Sequence, residues 1–339
     1  MVIIIPLAKI AIAISILLFV VTYLVYFERK ISAWIQDRIG PNRVGPYGLL
    51  QSPADVLKLF FKEDIVPLAA TKFVHSLAPV ISLTIAMSTY AVIPFGPDIN
   101  LFGQKVKLIV ADVDVGILFI LAFASIGVYG ITLSGWGSNN KYSLLGGLRS
   151  SAQMISYELS MGISVVGVLM VAGSLRIYDI IDHQQGWMWN AFIQPIGFIT
   201  FVVAAFAETN RLPFDLPEAE PELVGGYHTE YSSLKFAMFF LAEYANMIIA
   251  SCLIAALYLG GWHLPFVNTT SLSEGWLPLI SVAIYLAKVC FLLFFFIWVR
   301  WSIPRFRYDQ LMNLGWKVML PLSLVNLVWV AILVYYFKI

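Results

Sequence analysis

The sequence predicts an all-α membrane protein with about eight transmembrane helices. Of its 339 residues, 60% are hydrophobic and only 12% are charged, and the mean hydropathy is +0.84. A water-soluble domain of this size would not need so much apolar surface, because its outside must face water. Several apolar runs reach the roughly 20 residues that cross a hydrocarbon core of about 30 Å. Soluble classes of protein are therefore excluded.

Eight apolar segments have the length expected of transmembrane helices. Their predicted limits are 4–27, 73–94, 115–136, 152–172, 191–210, 236–260, 277–300 and 317–337. The first is interpreted as a retained span, because it lacks the basic start of a signal peptide and its apolar run is too long. No segment between the helices is long enough for a separate folded domain, so we expect a single membrane domain over residues 1–339.

The basic residues indicate how these helices are oriented. About 15 of the 21 lysines and arginines fall in the loops 28–72, 137–151, 211–235 and 301–317, with Arg300 at the boundary. Loops that are rich in positive charge stay on the cytoplasmic side of a membrane. We therefore expect these loops in the cytoplasm or the mitochondrial matrix, and both termini on the periplasmic or intermembrane side.

The first of these loops contains a short predicted amphipathic helix. A stretch dense in Gly and Pro, IQDRIGPNRVGPYG, precedes SPADVLKLFFKED, where Ser52 or Pro53 can begin a helix. Asp55, Lys58 and Lys62 share one face of this helix. Two interpretations stay open: a helix packed under the bundle, or an interfacial helix at the mouth of a lipid-accessible cavity.

Ionisable residues lie within the predicted spans. They are Glu158, Glu208, Glu243 and Lys288. A charge near the bilayer centre costs at least about 2.5–3.5 kcal/mol, so such residues are functional candidates. The three carboxylates belong to the cytoplasmic halves of their helices, and the lysine lies nearer the middle. One alternative is that each carboxylate forms an ion pair with one basic group and only holds helices together. Four ionisable groups at graded depths instead favour a polar file that leads from the cytoplasmic loops toward the bilayer interior.

The loop AETNRLPFDLPEAEPELVGGYHTEY is acidic, against the usual charge of cytoplasmic membrane loops. Its carboxylates surround Arg211 and are Glu208, Asp215, Glu218, Glu220, Glu222 and Glu230. Crowded carboxylates disfavour one another's ionisation, so we expect some of them to exchange protons near neutral pH. Its prolines exclude a regular helix, and its interleaved apolar side chains predict that it folds back into the protein.

We expect no metal or redox cofactor to be bound by this chain. The two cysteines, Cys252 and Cys290, each lie inside an apolar run, which excludes a disulfide framework and an iron–sulfur cluster held by four cysteines of this chain. The four histidines lie at or outside the ends of apolar runs, and no two are placed to hold a haem between facing helices.

Short motifs mark the chain from end to end. They are ERK (28–30), GPNRVGPYGLLQ (40–51), ADVLKLFFKE (54–63), SGWGSNNKYSLLGGLR (134–149), AQMISYE (152–158), AETNRLPFDLPEAEPELVGG (207–226), EY (230–231), LAEYAN (241–246) and PRFRYDQLM (304–312). Their order, spacing and agreement with the eight spans closely resemble the family of the quinone-site membrane subunit of respiratory complex I (NADH-quinone oxidoreductase), called NADH dehydrogenase subunit 1 in mitochondria.

The resemblance implies a membrane subunit of proton-pumping NADH:quinone oxidoreductase, in a bacterial or mitochondrial inner membrane. In this family quinone, the substrate, enters from the bilayer through a cavity of the subunit, and a neighbouring subunit's iron–sulfur cluster reduces it. The implied partners are peripheral-arm quinone-site subunits, small membrane subunits and lipid, with no nucleic acid. NADH, FMN and the iron–sulfur clusters belong to the partner subunits, so no activity is expected from the isolated chain.

Roles for individual residues follow from the matched motifs. The resemblance assigns Glu28, Arg29 and Asp55 to the quinone cavity and its rim. The aromatic pair Phe239 and Phe240 is a candidate lining of the quinone tail path, with core packing as the alternative. The proton-coupling candidates are Glu158, Glu208, Asp215, Glu218, Glu220, Glu222, Glu230, Glu243, Lys288 and Arg300.

Three other functions stay open at this point. The membrane subunit of an energy-converting hydrogenase or formate hydrogenlyase has the same fold, but the complete motifs 207–226 and 304–312 favour complex I. A stand-alone ion transporter would predict internal repeats with broken helices, and no convincing repeat is found. A structural scaffold for the peripheral arm would use the charges for assembly only, and mutation would separate it from a coupling role.

Overall fold

The computed structural model describes residues 4–101, 104–186, 188–216, 223–265 and 277–337, and helices make up nearly all of their regular structure. Seven helical stretches in these ranges are long and apolar enough to cross a membrane. They are α1 (Ile4–Ile35), α3 (Lys72–Tyr90), α4 (Gly116–Gly137), α5 (Lys141–Ala172), α9 (Ser233–Leu257), α10 (Leu277–Ser302) and a continuous stretch of α11 (Tyr308–Asn313), a π-helical segment (Leu314–Met319) and α12 (Leu320–Phe337). The all-α polytopic fold is thereby confirmed.

The fifth predicted span, 191–210, differs from the prediction. It contains the single turn α7 (Asn190–Ile193) and the apolar helix α8 (Pro195–Glu208) of 14 residues. At 1.5 Å per residue, α8 extends over about 21 Å, which is shorter than a hydrocarbon core of about 30 Å. The described residues thus contain seven long apolar helices and one shorter apolar helix, which agrees with about eight predicted helices except that α8 is too short for a full span.

The predicted amphipathic helix is confirmed as α2 (Gln51–Phe61). It packs against α1 and α9, and an ion pair of 2.5 Å between Arg29 and Asp55 ties it to α1. Phe60 and Phe61 are nevertheless exposed. The helix therefore packs under the bundle and also keeps an exposed apolar face.

Small elements lie between the spans on the side opposite to α2. An antiparallel hairpin, which the sequence analysis did not predict, pairs β1 (Ile99–Leu101) with β2 (Gln104–Val106). The short helix α6 (Ile177–His183) follows α5. Before it, Arg176 donates from Nε to Asp112, 2.9 Å away, and this hydrogen bond lowers the pKa of the Asp112 carboxyl to about 2.

Helix α5 lies at the centre of the bundle and packs against α4, α8 and α12. Close approach of α4 to α5 requires glycine at position 135, because a Cβ there would lie 2.6 Å from the carbonyl oxygen of Ser143. Small residues at helix contacts allow this kind of packing in membranes. Helix α9 packs against α3 on one side and α10 on the other.

The contact of α12 with α8 gives a first testable prediction. Asn326 is fully buried and accepts a hydrogen bond of 2.9 Å from the backbone N–H of Gly197, in the first turn of α8. Asn326→Leu should leave that N–H unpaired and lower the free energy of unfolding by about 1–3 kcal/mol. Thermal unfolding of the protein in detergent measures the loss. The exposed Asn313→Leu is the control, and equal stability of the two variants would contradict the prediction.

Candidate functional site

Two cavities lie side by side in the bundle. The first, called here the apolar cavity, is enclosed by α3, α4, α5, α8 and α9 and contains about 1070 Å³ of empty space, part of it open to the outside. Most of its lining is aliphatic or aromatic. Its carboxyl and amide groups come from the end of α8 and from α9, and they are Glu208, Asn210, Glu243 and Asn246.

The second, called the charged cavity, lies between α1, α9, α10 and the loop after α8, with about 510 Å³ of empty space. Its lining combines apolar and charged side chains, which are Val25, Glu28, Arg29, Ser32, Arg211, Phe240, Glu243, Tyr244, Arg300 and Trp301. Glu243 therefore lines both cavities. A single carboxylate stands at the boundary between them.

Arg211 connects the carboxylates of this boundary. Its Nη1 lies 3.2 Å from both carboxylate oxygens of Glu28, and its Nε lies 2.5 Å from Oε1 of Glu243. The Nε approach is off the N–H direction, so Coulomb attraction rather than an aligned hydrogen bond joins this second pair. Arg300 also pairs with Glu28, whose other oxygen accepts a hydrogen bond of 2.8 Å from the hydroxyl of Tyr244. Two arginines and two glutamates thus form a balanced network.

This network is held away from water. The side chains of Arg211, Glu28 and Glu243 are only 3%, 7% and 12% exposed. The guanidinium carbon of Arg211 lies 4.2 Å from the centre of the Tyr244 ring. Burial opposes the charge on Arg211, but the neighbouring carboxylates outweigh it and raise the pKa of the guanidinium well above its usual value. Such buried charges persist only while they remain paired.

Local structure at the end of α8 directs Arg211 inward. Asn210 adopts a left-handed backbone conformation, with φ of 52°, and ends the helical run. The buried side chain of Gln153 on α5 donates hydrogen bonds of 2.7 Å to the carbonyls of Ala207 and Phe214, on either side of the turn. Arg211, Phe214 and the intervening residues are thereby fixed against α5. Within the acidic loop, residues 209–216 fold back into the protein as predicted, and Phe214 and Leu216 are buried.

The predicted carboxylates within the spans lie near one another. Glu158 accepts a hydrogen bond from Ser125 and acts electrostatically on Glu208. Glu208 and Glu243 line the same apolar cavity. Glu158, Glu208 and Glu243 thus lead toward Arg211, as a polar file would require.

Other predicted residues lie outside this group. Asp215 is buried and pairs with Arg305 at 2.9 Å. Glu230 accepts a hydrogen bond of 2.6 Å from Asn140. Lys288 lines neither of the two cavities, among the residues that the structure describes, and donates to backbone carbonyls beyond the end of α9. The positions of Glu218, Glu220 and Glu222 lie outside the described residues.

The aromatic pair divides between the cavities. Phe239 is buried, lines the apolar cavity and packs edge-on against Tyr227 and Tyr231. Phe240 lines the charged cavity and contacts the ring of Tyr244. Core packing explains the position of Phe239, and only Phe240 lies beside the predicted quinone-cavity residues Glu28 and Arg29.

The sequence analysis missed three members of the site. Arg211 was treated only as the centre of an acidic loop, and Tyr244 and Gln153 were not singled out. One signal was available for the first of them, because Arg211 is the only basic residue in the motif 207–226. A lone cation among carboxylates at the end of a span is expected to be paired. No comparable signal marks Gln153, a neutral polar residue inside a helix.

Among the described residues, no group of three or more histidine, cysteine, aspartate or glutamate side chains is arranged to hold a metal ion. The site instead consists of ionisable side chains, a tyrosine hydroxyl and apolar walls. Such a site can bind an amphipathic molecule, hold protons and respond to new charge nearby.

Comparison with known proteins identifies the family. Residues 8–331 match the family model described as NADH dehydrogenase. NADH-quinone oxidoreductase subunit 8 of Rhodothermus marinus is 56% identical over 329 residues, which cover 94% of each chain. The H-type NADH-quinone oxidoreductase subunit of Salinibacter ruber is 53% identical over 91% of this chain and 90% of its own, and one from Geobacter metallireducens is 52% identical over 97% of each.

The family match over residues 8–331 includes every described residue that lines either cavity. Seven long apolar helices agree with a subunit that is integral to a membrane. The relatives are, by name, subunits of an oxidoreductase complex, which implies other subunits of that complex as partners. The chain therefore belongs to the NADH dehydrogenase family, which includes these H-type subunits of NADH-quinone oxidoreductase.

Proposed function

We propose that this chain forms the quinone access cavity of a proton-pumping NADH:quinone oxidoreductase, and that its glutamates couple quinone reduction to proton translocation. The observation that carries the proposal is the position of Glu243, which lines both cavities and pairs with Arg211. Through Arg211, the same network reaches Glu28. A change of charge in the charged cavity would therefore act on a carboxylate of the apolar cavity.

The charged cavity has the character that a quinone needs. Its apolar walls, Val25, Phe240 and Trp301, suit an isoprenoid tail, and its charged residues suit a polar headgroup. Arg29 lines this cavity and pairs with Asp55 of α2, so α2 borders the entrance. The exposed apolar face of α2 would then lie at the lipid interface, where quinone is dissolved.

Reduction of a quinone to a quinol consumes two electrons and two protons. In this proposal the electrons come from an iron–sulfur cluster of a partner subunit, with NADH and FMN further away in the same complex. Charge that appears in a cavity of low dielectric acts strongly on neighbouring ionised groups. It would weaken one of the two pairs made by Arg211 and change the proton affinity of Glu243. Glu208 and Glu158 would then pass the proton on along the file.

The remaining predicted carboxylates have flanking roles in this proposal. Asp215, paired with Arg305, and Glu230, bonded to Asn140, belong to the same acidic loop as Arg211. Glu218, Glu220 and Glu222 stay a prediction from the sequence. Arg300 is the basic partner of Glu28. We also infer one membrane domain in a bacterial inner membrane, with α2 and the loop after α8 on the cytoplasmic side and both termini on the periplasmic side, as the basic residues indicate.

Replacement of the boundary carboxylate tests the proposal. Glu243→Gln keeps the size of the side chain but removes the group that would bind the proton and the partner of Arg211 Nε. Proton translocation by the assembled complex should fall at least about tenfold, because positioned proton-transfer groups contribute factors of this order or more. NADH-driven acidification of sealed vesicles, together with the rate of quinone reduction, measures the effect.

The exposed Glu63→Gln, on the same side of the bundle, is the matched control and should leave both rates unchanged. Normal quinone reduction and normal proton translocation in Glu243→Gln and in Glu208→Gln would show that the file is structural. In that case a scaffold role for the peripheral arm would explain the charges better than a coupling role.

A further inference from the structure

The far end of α9, away from the charged cavity, is closed by polar side chains from other segments. The last carbonyls of a helix have no partner within the helix. Here the side-chain amide of Gln184 donates to the carbonyl of Ala256 at 2.8 Å, and that of Asn190 donates to the carbonyl of Leu257 at 2.7 Å. Both amides are buried. The end of α9 is thus bonded on its buried side to the segment that connects α6 with α7.

Lys288 of α10 binds the carbonyls of the turn that follows α9. Its Nζ donates to the carbonyls of Leu259, Gly261 and His263 at 2.7, 2.8 and 2.5 Å. An ammonium has three N–H donors and a neutral amine has two, so three close acceptors match the charged form. The Nζ also lies 4.3 Å from the centre of the Trp189 ring, a cation–π contact.

The backbone of this turn is shaped to collect carbonyls around one cation. Gly260 and Gly261 have φ angles of +69° and +52°, which favour glycine. A Cβ at Gly260 would overlap the ring nitrogen of Trp189, so the turn also needs glycine for space. The carbonyls of residues 259, 261 and 263 therefore converge on Lys288.

The closure lies between the apolar cavity and an exposed surface. Leu253 and Leu257 of α9 line the cavity, and Leu257 is the last residue of the helix. Two residues later, the carbonyl of Leu259 binds Lys288. On the other side of the turn, His263 lies 3.7 Å from Asp182, whose side chain is 47% exposed.

We propose that Lys288 and the turn 258–263 form an electrostatic seal that closes the apolar cavity on the side opposite to the acidic loop. A fixed positive charge at a constriction repels protons and other cations. The carbonyls that would otherwise attract a cation are already bonded to the ammonium. The inference rests on the proposed function, because a seal is needed only where protons occupy the file.

Removal of the charge tests the seal. Lys288→Gln keeps two N–H donors for the carbonyls and removes the charge. The assembled complex, reconstituted into liposomes with an internal pH dye, is given an external acid step without NADH. The passive proton entry rate should rise at least about tenfold over that of the unmodified complex. Quinone reduction by the uncoupled complex should remain within about twofold, since the lysine lines neither described cavity.

Two matched variants define the role of the charge. Lys288→Arg keeps the charge, so its passive proton entry rate should equal that of the unmodified complex. Lys9→Met removes a lysine whose Nζ donates to the carbonyl of Lys107 at 3.0 Å and to that of Ile109 at 3.5 Å, and its passive proton entry rate should equal that of the unmodified complex. If Lys288→Gln fails to assemble, Lys288→Met, which keeps the length of the side chain without its charge, replaces it in the same measurement and should leak as well. An assembled Lys288→Gln complex as tight as the unmodified one would overturn the seal.

A double variant separates the seal from the proposed function. If protons leak through the polar file, adding Glu243→Gln to Lys288→Gln should return the passive proton entry rate most of the way to that of the unmodified complex. Both inferences would then be supported. A leak that persists in the double variant would support the seal and would contradict Glu243 as the proton route. The two inferences can therefore fail independently.

Discussion

Arg211→Met is expected to cost more than any other single change in the charged cavity. The variant removes an ion-pair partner of Glu243 and one of the two arginine partners of Glu28, and leaves these carboxylates buried. Removal of one partner from a buried ion pair costs about 3–5 kcal/mol, because the remaining charge has no compensation. The free energy of unfolding in detergent should therefore fall by about 3–5 kcal/mol, and NADH:quinone reduction in membranes should fall as the network and the assembled fraction are lost.

The measurement needs a second variant, because loss of assembly and loss of coupling would both abolish activity. Adding Glu243→Gln to Arg211→Met removes one carboxylate along with the arginine and leaves Glu28 paired with Arg300. The double variant should regain most of its thermal stability but none of its proton translocation. Arg307→Met, at a side chain that is 74% exposed, should change neither quantity. Normal stability and activity of Arg211→Met would contradict the network as described.

A network of this kind explains why one residue can serve two cavities. Glu28 has Arg300 and Tyr244 as further partners, whereas Glu243 forms its ion pair with Arg211. A new negative charge in the charged cavity would draw Arg211 toward Glu28 and away from Glu243. The carboxylate of Glu243 would then bind a proton more readily, because a nearby positive charge no longer stabilises its ionised form.

The long helices could be predicted from the sequence because their cause is local. A continuous apolar run of about 20 residues predicts a transmembrane helix from local sequence alone. Helix α2 was predicted from Ser52, Pro53 and its mixed face, although it begins at Gln51 with no side-chain cap at Leu50. The short length of α8 was harder to predict from the sequence. Its apolar run extends through 191–210, but Pro195 begins a new helix after a break at Gln194, and hydropathy does not detect such a break.

The site could be predicted only in part because its contacts are long-range. Charges inside apolar runs identified Glu158, Glu208 and Glu243 as candidates, and the acidic loop drew attention to Asp215. The pairing of Glu28 with Arg211 joins residues 183 positions apart, and nothing local indicates it. Lys288 was placed in the polar file from its depth alone. Its hydrogen-bond partners lie instead in the turn after α9. The depth of a residue along its helix does not tell which neighbouring segment its side chain faces.

Gln153→Met should impair the site from a distance, because Gln153 fixes the turn that presents Arg211. Methionine has nearly the same length but no N–H donor, so the bonds to the carbonyls of Ala207 and Phe214 are lost. A hydrogen bond lost at a buried carbonyl costs about 1–3 kcal/mol, and the carbonyl of Ala207 keeps a long bond of 3.4 Å from the backbone N–H of Asn210. The free energy of unfolding should fall by about 2–4 kcal/mol, and the remaining folded protein should hold the loop 209–216 less firmly.

The functional consequence distinguishes positioning from simple destabilisation. A loosened turn displaces Arg211 from Glu243, so the number of protons translocated per quinone reduced should fall even at a temperature where the complex is fully assembled. The exposed Gln36→Met is the control for loss of a glutamine and should leave this ratio intact. A lower unfolding temperature with an unchanged proton ratio would mean that Gln153 only stabilises the fold, and that Arg211 keeps its place without it.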